Sequence, residues 1–527
     1  MIALAFFVSV FVLRYLLLDS FPPAAPKVTD EFSYLFAADT FAEGRLTNPP
    51  YPHEKSFETR HILTHPTVMS KYQPATAVFL LIGQKLFGHY HWGMCLAVAM
   101  LAAVSYWTLR IWSNRYIALP LCTLMVLLLR APHYWIYSYW GGAHVMAACM
   151  LMLCAYHYIF HRNKPGYVWV GLAGLILGLL SRPYETAVLA ATLLVCGMVH
   201  VRQFSPPAER LQTLKQLALP CCVVVGCYLI FQGYYNYAIT GDVFQLPYTL
   251  YQKQYGAVPH WIFDKVRMER WPSNDIVASL QVHELDVFKN QIGLLKNWFD
   301  RHPPTIARML VMNRLLDRPE LFKAYGMVTV LYHVTMPLVL AYVCIKRRRH
   351  YALLSCLLAT TLAFTVMTVM FPHYLVAYMA VQLIIFAILI REFYSAPGSK
   401  LFEVICTAAV LVPIIFFISR PFEADSQPDN NNQIFWDHIL DKPKVEEQLM
   451  AIDGKHLVLV NHSIEMAERM ISQVWIYNSP NIDESKIIWA QYLSDEDNKK
   501  IISHYSDRTI WYYEPYKEKK LTHYRNK

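Results

Sequence analysis

VTDEFSYLFAADTFAEGRL, residues 28–46, follows shortly after the first hydrophobic run of the chain and begins with two adjacent acids, Asp30 and Glu31. The spacing of the apolar residues behind them predicts an amphipathic helix that the two acids open. Acids in the first turn of a surface helix are favoured by the helix dipole, so their position alone does not assign a function. Their role depends on which side of a membrane the stretch faces.

The composition is that of a protein that crosses a membrane several times. Of 527 residues, 55% are hydrophobic and only 16% are charged, whereas soluble chains carry about a quarter charged residues. The net charge of +9 is typical of basic cytoplasmic loops and does not require a nucleic-acid partner. The eleven cysteines, from Cys95 to Cys406, all lie in hydrophobic runs, which disfavours disulfides and a cysteine zinc site.

Hydrophobic runs long enough to cross about 30 Å of hydrocarbon predict about eleven transmembrane helices. They lie near residues 2–18, 91–112, 116–133, 142–160, 167–181, 185–200, 216–236, 325–345, 351–371, 374–391 and 401–419. Lys and Arg concentrate in alternate short loops, which places the N-terminus in the cytoplasm and the C-terminus outside. Arg14 within the first run disfavours a cleaved signal peptide.

Three polar regions are then predicted outside the cytoplasm: residues 19–90, here called the first loop, residues 237–324, and the C-terminal region. A Pro/Asn/Asp-rich linker, 420–439, separates the transmembrane domain, 1–419, from residues 440–527, here called the tail. The tail alternates helical and strand patterns, which predicts a small α/β domain. Its predicted strands are HLVLV, KIIWA and RTIWYYEP, and its predicted helices are KVEEQLMAI and SDEDNKKIISHY, the second with a capping box at Ser494 and Asp497.

Unusual polar and aromatic residues cluster at the predicted outer face. They are Asp30 and Glu31, Lys71 and Tyr72 in SKYQP, Tyr139 and Trp140 in SYWGG, Arg182 and Glu185 in SRPYE, Tyr248 in YNYAITGDVFQLPY, and His373 and Tyr374 in FPHY. Charges at such depth are costly, so they either snorkel to the interface or serve a site. Together they could supply a carboxylate to deprotonate an acceptor hydroxyl, cations for a lipid phosphate and rings to stack on a sugar.

Most of these signals also have a plain structural interpretation. Lys71 and Arg182 fit interfacial snorkelers, and SYWGG fits an aromatic belt followed by a close-packing glycine pair. His53, His61 and His65 match no metal-ligand spacing, and we interpret them as loop histidines. The sequence therefore supports neither a divalent metal nor another cofactor.

The order of these motifs over residues 1–400 resembles the membrane glycosyltransferases of the GT-C class. The chain is most similar to the bacterial family grouped with lipopolysaccharide-core galacturonosyltransferases, and more distantly to aminoarabinose transferases of lipid A and protein O-mannosyltransferases. The resemblance implies a polyprenyl-phosphate sugar donor and reaction with inversion.

The resemblance also implies roles for individual residues. Asp30, with Glu31 beside it, matches the acid of the first outer loop that acts as the general base. The residues expected at the donor and its lipid phosphate are Lys71, Tyr72, Arg182, Glu185, His373 and Tyr374, and those expected at the acceptor or sugar are Tyr139, Trp140 and Tyr248.

The prediction is an inverting glycosyltransferase of the inner (plasma) membrane, acting on a glycolipid or envelope-polysaccharide acceptor at the outer, periplasmic face. Two alternatives remain open: a transporter or flippase of lipid-linked glycans, and a non-catalytic envelope assembly protein whose tail binds a partner. Transporters often contain repeated halves and charge within their helices. The chain has no internal repeat and little mid-helix charge, which favours the enzyme.

Overall fold

The structure is a computed structural model of the chain. It describes residues 1–19, 22–23, 26, 28–127, 135–136, 138–139, 141–204, 206–256, 350–365, 376–395, 441–461, 475–515 and 519–524. The predicted helices 325–345 and 401–419 and the linker 420–439 lie outside these residues, so the count of about eleven transmembrane helices stays a prediction.

The described part of the chain is mostly helical, and its apolar helices are those of a membrane protein. The helices of the N-terminal half are α1 (Ile2–Leu16), α2 (Thr29–Ala42), α3 (Ala75–Phe87), α4 (His91–Trp112), α5 (Arg115–Leu127), α6 (Ala143–Tyr156), α7 (Val168–Leu179), α8 (Pro183–Phe204), α9 (Pro207–Thr240) and α10 (Pro247–Tyr255). They are followed by α11 (Tyr351–Thr365) and α12 (Val376–Ser395). Within the described residues, four segments are long and apolar enough to cross a membrane: His91–Trp112, Ala143–His161, Pro183–Phe204 and Arg210–Thr240.

Helix α3 was not expected, because the sequence places it inside the polar first loop. Its 13 residues, ATAVFLLIGQKLF, are apolar, but a helix of this length extends only about 20 Å. It is therefore too short to cross the hydrocarbon core by itself.

The chain divides into two compact units. The first comprises Met1–Pro23, Leu86–Ile230 and Leu295–Pro421, and the second comprises Ala24–Lys85, Phe231–Leu294 and Phe422–Lys527. In the first unit, α6 and α7 pack so closely at Gly174 that a Cβ there would lie only 2.6 Å from the Ala148 carbonyl oxygen. A glycine allows this close approach of the two helices. The fully buried side chains of this unit include Trp112 and Met150.

The second unit contains most of the first loop, α10 and the tail. In the first loop, α2 is followed by a short antiparallel hairpin of β1 (Ile62–Leu63) and β2 (Met69–Ser70). The Ser33 hydroxyl of α2 lies 2.7 Å from the Ser70 hydroxyl and donates to the His61 carbonyl at 2.7 Å. These bonds attach the helix to the hairpin.

The tail contains α13 (Asp441–Met450), β3 (His456–Val460), β4 (Ile487–Gln491), α14 (Asp495–His504), β5 (Thr509–Tyr513) and β6 (Thr522–His523). The sheet has the order β4-β3-β5-β6, in which β3 is parallel to both β4 and β5. These elements overlap the predicted helices and strands, and Ser494 caps α14 by accepting from the Asp497 amide at 3.2 Å. That the tail is a separate domain outside the cytoplasm stays a prediction, because the structure groups it with the first loop.

Candidate active site

The two acids of the opening stretch have different partners. Helix α2 begins at Thr29, so Asp30 and Glu31 both lie in its first turn. The Val28 amide donates to Glu31 Oε2 at 3.1 Å, and the Glu31 side chain is buried. Glu31 thus satisfies a backbone donor at the helix N-terminus, as the glutamate of a capping box does. This contact gives a structural reason for the position of Glu31, one of the two acids.

Asp30 makes its hydrogen bonds to the described residues through one of its two carboxylate oxygens. Its Oδ1 lies 2.7 Å from His61 Nε2 and accepts from the Tyr72 hydroxyl at 2.9 Å. Among the described residues, Oδ2 has no hydrogen-bond partner, and 24% of the Asp30 side chain is exposed. The carboxylate is therefore oriented through one oxygen and open to a ligand through the other.

The backbone conformation and the backbone hydrogen bonds of His61 fix the position of its ring. Its φ of 66° lies in the left-handed region, where residues other than glycine are uncommon. The His61 carbonyl accepts from the Ser33 hydroxyl and from the Lys71 amide, and the His61 amide donates to the Tyr251 hydroxyl at 3.1 Å. His61 lies in the turn before β1, as a loop histidine would, and these bonds place its ring beside Asp30.

Lys71 lies in a cage of tyrosine rings. Its Nζ is 4.6 Å from the ring centre of Tyr251, 4.9 Å from that of Tyr248 and 5.1 Å from that of Tyr72. The side chain is buried, and no carboxylate lies within ion-pair distance of it in the described ranges. Aromatic faces attract a cation without neutralising it, so the charge remains available to an anion.

Tyr72 links the acid to the lysine. Its hydroxyl donates to Asp30, and its ring contacts Lys71 and stacks on Tyr34 at 4.5 Å between ring centres. Its carbonyl accepts from the Tyr235 hydroxyl at 3.3 Å. Tyr248, expected at the acceptor or sugar, contacts Lys71 in this arrangement.

The residues just described form one cluster: Asp30, His61, Lys71, Tyr72, Tyr248 and Tyr251. Burial and the charges in this cluster shift the pKa values of Asp30, His61 and Lys71. Burial by itself raises the pKa of Asp30, but His61, Lys71 and Tyr72 together outweigh it and hold that pKa well below its usual value. Burial, supported by the charge of Lys71, lowers the pKa of His61 to about 3. Near neutral pH the pair is therefore a carboxylate and a neutral imidazole whose Nε2–H donates.

Lys71 titrates close to neutrality. Burial lowers its pKa to about 7, although the charge of Asp30 opposes this shift. An anion bound beside the ammonium would stabilise the protonated form and raise the pKa again. Lys71 is therefore suited to a phosphate ligand.

The predicted donor residues Arg182 and Glu185 lie in the first unit, at the start of α8. Arg182 Nη1 is 3.6 Å from Glu185 Oε1, and both side chains are mostly buried. Tyr139 is also in this unit and is buried. Trp140, His373 and Tyr374 lie outside the described residues.

Two members of the cluster, His61 and Tyr251, were missed by the sequence reasoning. No spacing in the sequence relates either residue to Asp30, since the contacts depend on the hairpin and on α10. Within the described ranges, no group of three or more His, Cys, Asp or Glu side chains is arranged to hold a metal ion.

Comparison with known proteins gives matches among solved structures only. No protein-family model matches the chain, and no curated protein matches it. The Archaeoglobus fulgidus oligosaccharyltransferase tethered with an acceptor peptide is 13% identical, with a TM-score of 0.48, over 89% of this chain and 63% of that one. ArnT from Cupriavidus metallidurans is 13% identical, with a TM-score of 0.46, over 90% of this chain and 76% of that one.

These solved structures are glycosyltransferases of the GT-C class, which is the class that the sequence resembles. The chain spans about 63% of the length of the oligosaccharyltransferase. Because both TM-scores are below 0.5, the function has to be inferred from the residues of this chain.

Proposed function

We propose that this protein is an inverting glycosyltransferase that moves a sugar from a polyprenyl-phosphate donor to a hydroxyl of a glycolipid or envelope polysaccharide. The observation that carries the proposal is the Asp30 carboxylate, which is held through Oδ1 by His61 and Tyr72 and has no partner on Oδ2 among the described residues. A general base needs this combination of fixed orientation, ionised state and one accessible oxygen.

The proposed reaction uses both charges of the cluster. Oδ2 of Asp30 takes the proton of the acceptor hydroxyl while the acceptor oxygen attacks the anomeric carbon from the face opposite the phosphate. The bond between the anomeric carbon and the phosphate oxygen breaks, and the polyprenyl phosphate leaves with that electron pair. Lys71 stabilises the negative charge that builds on the phosphate, and it does so most effectively in a site that excludes water.

His61 and Tyr72 support the base in this mechanism. Both donate to Oδ1, so they hold the carboxylate in one orientation and lower the pKa of Asp30. An aspartate is ionised near neutral pH at its usual pKa, so the lower pKa does not strengthen the base. The contribution of His61 and Tyr72 is therefore orientation, while Oδ2 makes the contact with the acceptor.

The remaining assignments follow from the resemblance and are part of the proposal. Arg182 and Glu185, with His373 and Tyr374, would bind the donor, while Tyr139, Trp140 and Tyr248 would contact the sugar or acceptor. The positive-inside pattern supports a cytoplasmic N-terminus and a C-terminus on the opposite side of the membrane. The resemblance to a bacterial family supports the inner membrane, and with it a periplasmic C-terminus. Membrane lipids surround the helices, and the lipid-linked donor reaches the site from the bilayer.

The proposal is tested by mass spectrometry of envelope glycolipids and polysaccharides. The strains are a deletion and the deletion complemented with wild type, with Asp30→Asn, or with Asp39→Asn as a matched control in the same helix. We expect one saccharide mass to vanish in the deletion, to return with wild type and Asp39→Asn, and to stay absent with Asp30→Asn at equal protein level. A profile fully restored by Asp30→Asn would refute the proposal and favour transport or scaffolding.

A further inference from the structure

Tyr477 of the tail contacts the backbone of both residues that precede the catalytic pair. Its hydroxyl lies 2.9 Å from the Thr29 carbonyl oxygen and is also hydrogen-bonded to the Arg60 carbonyl oxygen. Thr29 immediately precedes Asp30, and Arg60 immediately precedes His61. One hydroxyl proton is shared between the two carbonyls, so a single side chain joins the start of α2 to the start of the hairpin.

The ring and backbone of Tyr477 are themselves fixed. The ring stacks on Phe32 of α2, with 4.8 Å between the centres and 22° between the planes. The Tyr477 carbonyl accepts from Lys442 Nζ at 3.1 Å, and that buried ammonium lies 5.7 Å from the centre of the Phe32 ring. The Tyr477 hydroxyl therefore has little freedom to leave its position.

The first loop is also built into the hydrophobic core of the tail. Phe57 is 1% exposed and belongs to the cluster on one face of the sheet with Leu459 and Ile488. Phe32 packs against the cluster on the other face, which includes Trp489. Burial of these two rings removes apolar surface from water and so stabilises the contact between the first loop and the tail. The contact at Tyr477 is thus anchored on both faces of the sheet.

A second backbone bond lies on the His61 side. Gln491, the last residue of β4, is fully buried and donates from Nε2 to the Glu58 carbonyl oxygen at 2.7 Å. Glu58 lies three residues before His61. The segment that leads to His61 is therefore bonded to the tail at two points, Glu58 and Arg60.

We propose that Tyr477 is a positioning residue for the reaction, and that the tail thereby completes the active site by setting the geometry of the Asp30–His61 hydrogen bond. This proposal rests on the function proposed above. Tyr477 does not reach the reacting atoms, and it acts by holding the backbone of the two residues that form the pair.

The test variant is Tyr477→Phe, which removes the hydroxyl and keeps the ring on Phe32. The matched control is Tyr505→Phe, because among the described residues the Tyr505 hydroxyl makes its hydrogen bond within the tail, to Asp483 Oδ1 at 3.2 Å. Both variants are produced as the full chain. The rate is the appearance of the envelope saccharide mass after induced expression in the deletion strain, at equal protein level.

We expect Tyr477→Phe to slow the reaction about tenfold, because small displacements of catalytic groups are costly, and Tyr505→Phe to leave it unchanged. If Tyr477 acts through the pair, its effect should nearly disappear in a His61→Ala background, where the bond to Asp30 is already lost. Multiplicative effects of the two substitutions, or a normal rate for Tyr477→Phe, would overturn the proposal.

Hydrogen exchange supplies a readout that does not depend on glycosyl transfer. In the purified full-length protein in detergent, Tyr477→Phe should speed amide exchange several-fold in peptides covering residues 28–34 and 57–63, and Tyr505→Phe should not. Unchanged exchange in both segments would overturn the positioning role of Tyr477 even if the glycosyltransferase activity is confirmed. Full activity of Asp30→Asn would instead refute the proposed function, so the two failures are distinguishable.

Discussion

The carboxylates in the first turns of α2 and α8 are used in opposite ways. Asp30 of α2 is held on one oxygen by a histidine and a tyrosine, and its nearby cation, Lys71, is surrounded by aromatic rings. Glu185 of α8 is paired directly with the arginine three residues before it. The first arrangement leaves an oxygen and an ammonium available to ligands, whereas the second couples its acid directly to a cation.

The difference shows that an acid near a membrane surface cannot be assigned a role from its position alone. A pair at i and i+3 forms from local helix geometry, and it stabilises the helix start. An acid whose partners come from distant parts of the chain has been oriented by tertiary structure. Such orientation has a cost in chain entropy, so it is a stronger indication of a reactive group.

The largest expected effect separates the two carboxylates directly. Asp30→Asn should lower the transfer rate by about 10²–10⁴-fold, because the general base is lost, while the protein stays folded. Glu185→Gln should lower the rate less than about tenfold, but should lower the free energy of unfolding by about 3 kcal/mol, because the mostly buried Arg182 loses its ion pair with Glu185. Rates at equal protein level and thermal unfolding in detergent measure both. Equal losses of rate would abolish the distinction.

The second effect concerns the caged cation. Lys71→Gln should lower kcat/KM by about 10–100-fold, since a hydrogen bond to a charged group contributes about 1.5–3 kcal/mol. Lys55→Gln is the control in the same loop, because Lys55 is partly exposed and pairs with Asp497. Initial rates in membranes, with the donor and acceptor found by the envelope comparison, give both values. A normal kcat/KM for Lys71→Gln would remove Lys71 from the donor site.

The third effect tests the hydrogen bond from His61. His61→Ala removes the donor and should slow transfer about tenfold, whereas His61→Gln keeps an N–H near the position of Nε2 and should stay within about threefold of wild type. Both side chains meet the same backbone cost at a φ of 66°. Equal rates for the two variants would show that the backbone at His61, and not its hydrogen bond, is what matters.

The smallest effect is a pH dependence. With a pKa of about 7 in the free enzyme, Lys71 is fully protonated in acid and loses its charge as the pH rises. We therefore expect kcat/KM to fall to about half of its acid-side plateau at pH 7 and to continue falling above it. Lys71→Gln should lack this decline. A decline of the same midpoint in Lys71→Gln would assign it to another group.

Helices and strands were largely predictable because their signals are local. The apolar runs, the alternation in HLVLV and the cap at Ser494 each depend on neighbours within a few residues. Helix α3 was missed because its apolar run is too short to be read as a span. The His61 contact was missed because a left-handed backbone in a loop leaves no periodic pattern.

The sequence by itself determined the membrane character of the chain, most of the described helices and strands, and the presence of an acid and a lysine in the first loop. Only the tertiary structure decided that Asp30 meets His61 and Tyr72, that Lys71 is caged by tyrosines, and that Tyr477 of the tail joins the two backbones. The physical reason is range. Hydrophobic periodicity acts between neighbouring residues, whereas these hydrogen bonds join groups separated by tens to hundreds of residues, which only the folded chain brings together.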